Sequence, residues 1–247
     1  MKKILWLVLA IVLAGMLFFD KSALAYQLDR ERLIQEFADA NYTFLGEVNY
    51  YGVPCLKIVL PMGQAIYQVC RRTPLLNAHY FEAREAIAVL NGLHYAYPRG
   101  SEGQPNQTGR EIILIPLDTS VQPKAFPEFE SRLAKFPDSL VISIEKQLMA
   151  YYRSGYLSAC FPVSTARAEG NKKTPKMKGW AKREEVDHWS TIYNVLMPYS
   201  IRLSGFYLLH GGVMPGDPDS AGCVRMFTEH IKWLYYGEWD RIWYEII

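Results

Sequence analysis

The sequence predicts a mainly β protein with some α-helix, in which a smaller α+β domain precedes a β-sandwich-like domain. Three observations predict this class. Short stretches rich in β-branched and aromatic residues recur at 140–144, 148–153 and 157–165, with turn residues between them. Helical spacing of apolar residues is confined to a few segments. Four prolines between residues 116 and 137 interrupt both patterns and indicate a linker.

The N-terminal 25 residues have the pattern of a secretory signal peptide. Lys2 and Lys3 precede an uncharged apolar run at residues 4–19, and an Ala-x-Ala sequence ends at Ala25. We therefore expect cleavage after Ala25 and export to the periplasm or cell envelope. The alternative is an uncleaved membrane anchor, although sixteen apolar residues fall short of the roughly 20 that a spanning helix needs. Membrane contact is expected only in that second case.

The charge balance excludes one class of partner. The chain has 27 basic and 25 acidic side chains, and residues 1–25 hold three and one of them, so the remainder is formally neutral. A nucleic-acid-binding domain normally carries a basic excess or stripe, which this sequence lacks. His79 and His188 have no neighbouring ligands at metal-binding spacing, so no metal is expected.

The smaller α+β domain is predicted at residues 26–117. Residues 28–39 and 81–90 have helical spacing, the second closed by Asn91 and Gly92, whereas residues 42–70 and 111–116 are β-rich. The order of strand, helix, loop and strand weakly resembles a LysM glycan-binding module. The alternative is an accessory domain that packs on the following one. In an exported protein Cys55 and Cys70, on neighbouring strand-like stretches, could pair; the pairing of these two and Cys160 stays open.

The linker is predicted at residues 118–138, and the larger domain at residues 139–247. Turns at residues 145–147 and 154–155 join its first three strands. A helix is expected at residues 228–236 and a final strand at 241–247. Many short strands with a single late helix favour a sandwich-like or mixed β domain.

His210 and Cys223 are the strongest candidates for a catalytic pair in this sequence. A thiol is a useful nucleophile only as thiolate, so it needs a base or a positive charge nearby. His210 ends the apolar run 206–209, Gly222 permits close approach of backbone to a substrate, and Arg225 adds positive charge. The alternative is that both are ordinary core residues, since a lone cysteine commonly packs as a small hydrophobe.

The sequence His210-Gly211, a short loop and Ser220-Ala221-Gly222-Cys223-Val224-Arg225 resembles the active-site signature of the L,D-transpeptidases. These are bacterial cell-wall enzymes with a cysteine nucleophile. The resemblance runs from about residue 140 to the end. It includes residues 161–165, 174–175, 187–190, 192–194 and 197–203.

The resemblance implies an L,D-transpeptidase catalytic domain that acts on peptidoglycan stem peptides without a cofactor. Cys223 is expected to attack the L,D-bond of a tetrapeptide stem, with His210 as general base and the Gly222 backbone N–H as an oxyanion donor. The acceptor is expected to be an amine of a second stem or of a wall-anchored protein. Substrate contacts are expected from Gly211, Tyr193, Tyr199, Ser220 and Arg225. For the two tyrosines packing is the alternative, and for Arg225 bracing of the loop.

Two departures from the family pattern leave alternatives open. Ala221 stands where the family usually has histidine, and residues 174–180 place their glycine differently from the usual Thr-Pro-x-Gly-x-Phe. The first removes a polar group from the rim of the site. A hydrolase of the same fold, acting as an L,D-carboxypeptidase or releasing wall-linked protein, is one alternative, because water instead of an amine would resolve the thioester. A wall-binding protein whose catalysis has faded is the other.

Overall fold

A computed structural model of the chain describes residues 27–61, 63–93, 111–120, 123–167 and 173–247. The expected signal segment at residues 1–25, and with it the cleavage site, lies outside the described residues, as does the polar loop at 99–109. Within the described ranges, no helix combines the length and the apolar character that crossing a membrane requires.

The N-terminal elements form a small antiparallel sheet with helices against it. Asp29 caps the first helix, because its side chain accepts a hydrogen bond from the Arg32 N–H at 2.9 Å. The sheet order is β1-β2-β3, and Leu56, Ile58 and Ile113 point from it into a core shared with the helices. The elements are α1 (Arg30–Asp39), β1 (Phe44–Tyr50), β2 (Val53–Leu60), α2 (Ile66–Arg72), α3 (Pro74–Ala78), α4 (Tyr80–Asn91) and β3 (Glu111–Pro116).

The prediction of β-structure up to residue 70 is wrong after β2. Residues 66–72 are helical because Ile66, Val69 and Cys70 recur at helical spacing and are all buried. The Gln68 side chain accepts a hydrogen bond from the Ala65 N–H at 2.7 Å, which satisfies one exposed donor at the helix start. Cys70 thus lies on a helix and not on a strand beside Cys55. All four cysteines are free thiols, so the possible Cys55–Cys70 pairing is not formed.

The C-terminal part of the described chain is dominated by one mixed sheet of eight strands, in the order β12-β11-β10-β7-β13-β4-β5-β6. The strands β8 and β9 form a separate hairpin. The elements are β4 (Asp138–Ser143), β5 (Leu148–Arg153), β6 (Tyr156–Pro162), β7 (Met177–Arg183), β8 (Asp187–Ser190), β9 (Val195–Pro198), β10 (Ile201–Ser204), β11 (Tyr207–Gly211), β12 (Val224–Met226), α5 (Thr228–Tyr235) and β13 (Arg241–Ile246).

The main core lies on one face of the large sheet, under α5. Side chains from all of its strands meet there, among them Leu140, Leu209, Val224 and Ile242, together with Ile231 of α5. A second layer covers the other face of β4, β5 and β6. Buried side chains on both faces, most of them from strands, confirm the predicted mainly β class with a sandwich-like core and an α+β region before it.

The segment between the two sheets packs against the larger one. Phe126 and Leu133 are buried with Val141 and Tyr152 in the second layer, and the Tyr152 hydroxyl donates to the Pro127 carbonyl at 3.0 Å. One turn of 3-10 helix spans Ser131–Leu133. The segment therefore has its own packing contacts, whereas the domain boundaries stay predictions.

Candidate active site

His210 and Cys223 are brought together by two neighbouring parallel strands. His210 lies in β11, and Cys223 immediately precedes β12. In the register of these strands Leu209 pairs with Val224, and both side chains enter the main core. Because successive side chains of a strand point to opposite faces, His210 and Cys223 are directed away from that core on the same side. A loop of twelve residues separates them in sequence, and the strand pairing joins them in space.

A backbone carbonyl orients the His210 ring. His210 is only 7% exposed, and its Nδ1 lies 2.8 Å from the carbonyl oxygen of Gly211. A carbonyl can only accept, so Nδ1 carries the proton and Nε2 keeps its lone pair. The tautomer that results leaves Nε2 free to act as a base.

Burial keeps His210 neutral. It lowers the pKa of the imidazole to about 4, and the positive charges of Arg225 and His188 add to this, while the Gly211 carbonyl opposes it. Near neutral pH the ring is therefore unprotonated and can accept a proton.

Cys223 is the partly exposed member of the four cysteines, the other three being buried. Burial of the sulfur raises the pKa of its thiol, and the Leu208 backbone N–H, Arg225 and Arg202 oppose that rise. The Sγ atom lies 3.8 Å from the Phe206 carbonyl oxygen. In the resting protein the thiol of Cys223 and the imidazole of His210 are thus both neutral near neutral pH.

Gly222 has a backbone conformation that side chains rarely adopt, with φ of 134°. A Cβ there would lie 3.2 Å from Cε1 of Tyr207, so the position is also sterically tight. Its N–H, the expected oxyanion donor, donates to the Ser220 hydroxyl oxygen at 3.1 Å. Ser220 in turn donates to the carbonyl of Cys223. Ser220 therefore shapes the turn before the nucleophile.

Gly211 also needs to lack a side chain. A Cβ at Gly211 would lie 3.1 Å from Ile231 Cγ2, 3.1 Å from Pro198 Cγ and 3.2 Å from Thr228 Oγ1. The residue after the histidine is thus packed between β9 and the start of α5. Its carbonyl, and with it the His210 ring, is held in place by that packing.

Arg225 is held by a carboxylate of the loop. Its Nη1 lies 3.1 Å from Asp219 Oδ2, and Arg167 Nε lies 2.6 Å from Asp219 Oδ1. Two guanidinium groups thus share one carboxylate, which leaves a net positive charge near the thiol. The arrangement shows Arg225 bracing the loop.

The two tyrosines occupy different environments. Tyr199 packs edge-on against Tyr235 and Tyr236, with ring centroids 5.8 and 6.0 Å away. Tyr193 is 39% exposed, in the turn of the β8–β9 hairpin. Tyr199 therefore makes the packing contacts that were its alternative assignment, while Tyr193 is partly exposed and its contact with a substrate stays a prediction.

Sequence reasoning assigned no role to two buried hydroxyl residues that hold the site together. The Thr174 hydroxyl donates to the Gly222 carbonyl at 2.8 Å and accepts from the Ala166 N–H at 2.9 Å. The Ser164 hydroxyl donates to the Asp217 carbonyl at 2.6 Å and accepts from the Asp219 N–H at 3.1 Å. Both residues lie in segments that carry the family resemblance, which was the available signal.

Two further features lie outside this arrangement. Over the described ranges no cluster of three or more His, Cys, Asp or Glu side chains could hold a metal ion. A cavity of about 310 Å³ lies between α4 and the start of α5, lined by Arg84, Glu85, Ala88, Val89, Phe227, Glu229 and His230. None of these residues belongs to the strands that carry His210 and Cys223.

A cysteine and an oriented, neutral histidine on adjacent strands define a candidate acyl-transfer site. Residues 137–236 match the family model of the YkuD L,D-transpeptidase catalytic domain. The match confirms, for these residues, the resemblance to the L,D-transpeptidase catalytic domain that the active-site motif predicts. The search of curated proteins found no match.

Solved L,D-transpeptidases are among the structures that resemble this chain. One from Xylanimonas cellulosilytica is 22% identical, over 45% of this chain and 61% of that one, with a TM-score of 0.41. One from Stackebrandtia nassauensis is 21% identical, over 52% and 62%, with a TM-score of 0.43. One from Mycobacterium smegmatis is 12% identical, over 83% and 99%, with a TM-score of 0.42. The chain spans about three fifths of the length of the first two.

The buried neutral state of His210 predicts a pH dependence of stability. As pH falls from about 6.5 toward 4, the unfolded chain binds a proton at this histidine that the folded chain does not. The free energy of unfolding should therefore fall by up to about 3 kcal/mol over that range because of this group. Urea unfolding of wild type and His210→Gln at several pH values measures it. An identical pH slope in both proteins would contradict the buried, neutral assignment.

Proposed function

We propose that the chain is a peptidoglycan L,D-transpeptidase with Cys223 as nucleophile and His210 as general base. The observation that carries the proposal is the parallel β11–β12 pair, which directs a partly exposed thiol and an oriented, neutral imidazole to the same side. The family match of residues 137–236 supports the reaction class. The proposed donor is a tetrapeptide stem, and export to the cell envelope follows from the same proposal.

In the first half of the reaction, the Cys223 sulfur attacks the carbonyl carbon of the L,D-bond while its proton passes to His210 Nε2. Since the thiol pKa is raised and the histidine pKa lowered, this transfer accompanies attack and does not precede it. The carbon–nitrogen bond then breaks, and the leaving amine of the terminal D-amino acid takes the proton from His210. A thioester remains on Cys223.

In the second half, an acceptor amine attacks the thioester and gives up a proton to His210. The carbon–sulfur bond breaks, and the sulfur regains that proton. The product is a new amide, either a cross-link between stems or the attachment of a protein to the wall. Water in place of the amine gives the hydrolase alternative, so the acceptor alone separates these two activities.

The negative charge that develops on the carbonyl oxygen needs fixed donors. The proposed donors are the backbone N–H groups of Gly222 and Cys223. The Gly222 N–H faces Ser220 Oγ at 3.1 Å in the structure, so a bound acyl group has to displace or share that hydroxyl. Of the expected substrate contacts, Gly211 and Tyr199 are proposed to act through packing, Ser220 and Arg225 through the shape of the loop, and Tyr193 by direct contact.

Replacement of the nucleophile tests the assignment. Wild-type chain incubated with tetrapeptide-stem muropeptides or a carbapenem should gain one covalent adduct, and Cys223→Ala should gain none. Cys160→Ala is the matched control, since Cys160 is buried and its thiol pKa is raised to about 12. Intact-mass spectrometry gives the readout, and product analysis separates amide transfer from hydrolysis. An adduct that persists in Cys223→Ala would defeat the assignment.

Loss of the base should slow acylation. His210→Ala removes the proton acceptor, and the acylation rate should fall roughly 100-fold or more. Stopped-flow measurement of carbapenem acylation tests this, with His79→Ala, a histidine of the N-terminal region, as the control. Equal acylation rates in wild type and His210→Ala would show that His210 is not the base.

Ala221 provides the third test. It is exposed beside the nucleophile, where the family usually has histidine. If that position helps to hold the donor, Ala221→His should raise turnover on ordinary tetrapeptide donors, because a polar rim group adds shape and hydrogen bonding. Turnover is measured by chromatography of muropeptide products. A folded variant with no gain on any tetrapeptide donor would contradict this role. Absence of acylation of the wild type by either stem or carbapenem would favour the faded-enzyme alternative.

A further inference from the structure

The end of helix α4, in the N-terminal region, touches the segment that joins His210 to Cys223. Gly92 caps that helix in the left-handed conformation, with φ of 59°. The next residue, Leu93, forms an isolated antiparallel β-bridge with Pro215. Residues 212–222 are called the catalytic loop below. Backbone of the N-terminal region therefore pairs directly with the middle of the catalytic loop.

Gly92 also lies against two parts of the C-terminal region at once. A Cβ at Gly92 would lie 3.4 Å from Pro162 Cβ, at the end of β6, and 3.9 Å from Gly216 Cα, in the catalytic loop. These are ordinary van der Waals distances for one carbon, and they leave no room for a longer side chain in that direction. The helix end thus fits between a strand of the large sheet and the loop.

The two parts touched by Gly92 converge on Ser164. Its backbone exchanges two hydrogen bonds with Arg225, at 3.0 and 2.9 Å. Its hydroxyl bonds the backbone of Asp217 and Asp219 at 2.6 and 3.1 Å. Pro162 is two residues before Ser164, and Gly216 is one residue before Asp217. Displacement of either contact is therefore passed to the residues that fix the turn before Cys223.

We propose that Gly92 and Leu93 are positioning residues of the active site, so that the N-terminal region holds the catalytic loop in register with β11. Leu93 is fully buried in the N-terminal core, so the bridge to Pro215 is anchored to a packed body. The loop is held by Ser164 on the catalytic side and by Leu93 on the other. The inference rests on the proposed function for the reaction affected, while the contact itself is a feature of the fold.

Proximity effects set the size of the expected consequence. Misplacement of a catalytic group by about 1 Å can cost on the order of 100-fold in rate, even when the change lies far from the chemistry. A substitution that pushes the helix end away from the loop should therefore lower kcat for acylation at least about 10-fold. KM should stay nearly unchanged, because neither Gly92 nor Leu93 is among the expected substrate contacts.

A matched series tests the proposal in the full chain. Gly92→Leu forces a side chain toward Pro162 and Gly216, whereas Gly92→Ala adds the single carbon that fits. Gly52→Leu is the control for backbone strain, since Gly52 also has positive φ, at 89°, and a Cβ there meets only the flexible Lys124 side chain, at 3.9 Å or more. We expect Gly92→Leu to lose kcat for acylation, and Gly92→Ala and Gly52→Leu to retain most of it.

The pH profile of Cys223 alkylation by iodoacetamide is measured on the same proteins, because it needs no stem peptide. A changed profile in Gly92→Leu alone supports the proposal even if the wild type fails to acylate with stems, an outcome that would count only against the proposed function. Should Gly92→Leu not fold, Leu93→Ala is compared with Leu90→Ala. Leu90 lies in the last turn of α4 and packs with Val53 and Cys55. A folded Gly92→Leu with wild-type kcat and alkylation profile would overturn the proposal. So would equal losses in Leu93→Ala and Leu90→Ala.

Discussion

The parallel pairing of β11 with β12 is the constraint on which the candidate site depends. Parallel strands cannot be joined by a tight hairpin. A longer connection has to run from the end of the first strand back to the start of the second. The twelve residues between His210 and Cys223 make this connection. The pairing of Leu209 with Val224 in the core fixes its two ends, and the side chains one position away then share the opposite face. The catalytic pair is therefore a consequence of how the core is packed.

Burial sets the electrostatics of that pair. A buried imidazole with pKa near 4 is a poor partner for a preformed thiolate, and a thiol whose pKa is raised by burial does not ionise readily alone. Both groups stay neutral until a substrate carbonyl is within reach, which protects the thiol from ionising without an electrophile. In the proposed reaction, a proton therefore has to move from the thiol to His210 during attack. The hydrogen bond from Nδ1 to the Gly211 carbonyl leaves Nε2 able to accept that proton. The positive charge of Arg225 opposes the rise in the thiol pKa at the same site.

The sequence predicts the parts of the structure that have strong local signals. The strands β4, β5, β6 and β13 of the large sheet, the helices at residues 28–39, 81–90 and 228–236, and the cap at Gly92 follow from periodicity and turn chemistry. The helix Ile66–Arg72 was missed because a short apolar run has no decisive period, and tertiary packing of Ile66 and Val69 decides it. At the site, the motif predicts His210 and Cys223, whereas the carbonyl that orients the ring is seen only in the structure. The hydroxyl contacts of Ser164 and Thr174 depend on residues about 50 positions away, which local patterns do not contain.

The residues that hold the turn before Cys223 differ from those that are proposed to react there. Gly222 adopts its positive φ between two anchors, because Thr174 bonds its carbonyl and Ser220 its N–H. The bond from Thr174 fixes the Gly222–Cys223 peptide, whereas in the proposed reaction the Gly222 N–H has to exchange Ser220 Oγ for the oxyanion. Ala221 lies between these anchors, and its side chain is exposed at the rim of the site. In the proposed site, a substitution at residue 221 therefore changes the rim while the backbone before Cys223 stays held by these anchors.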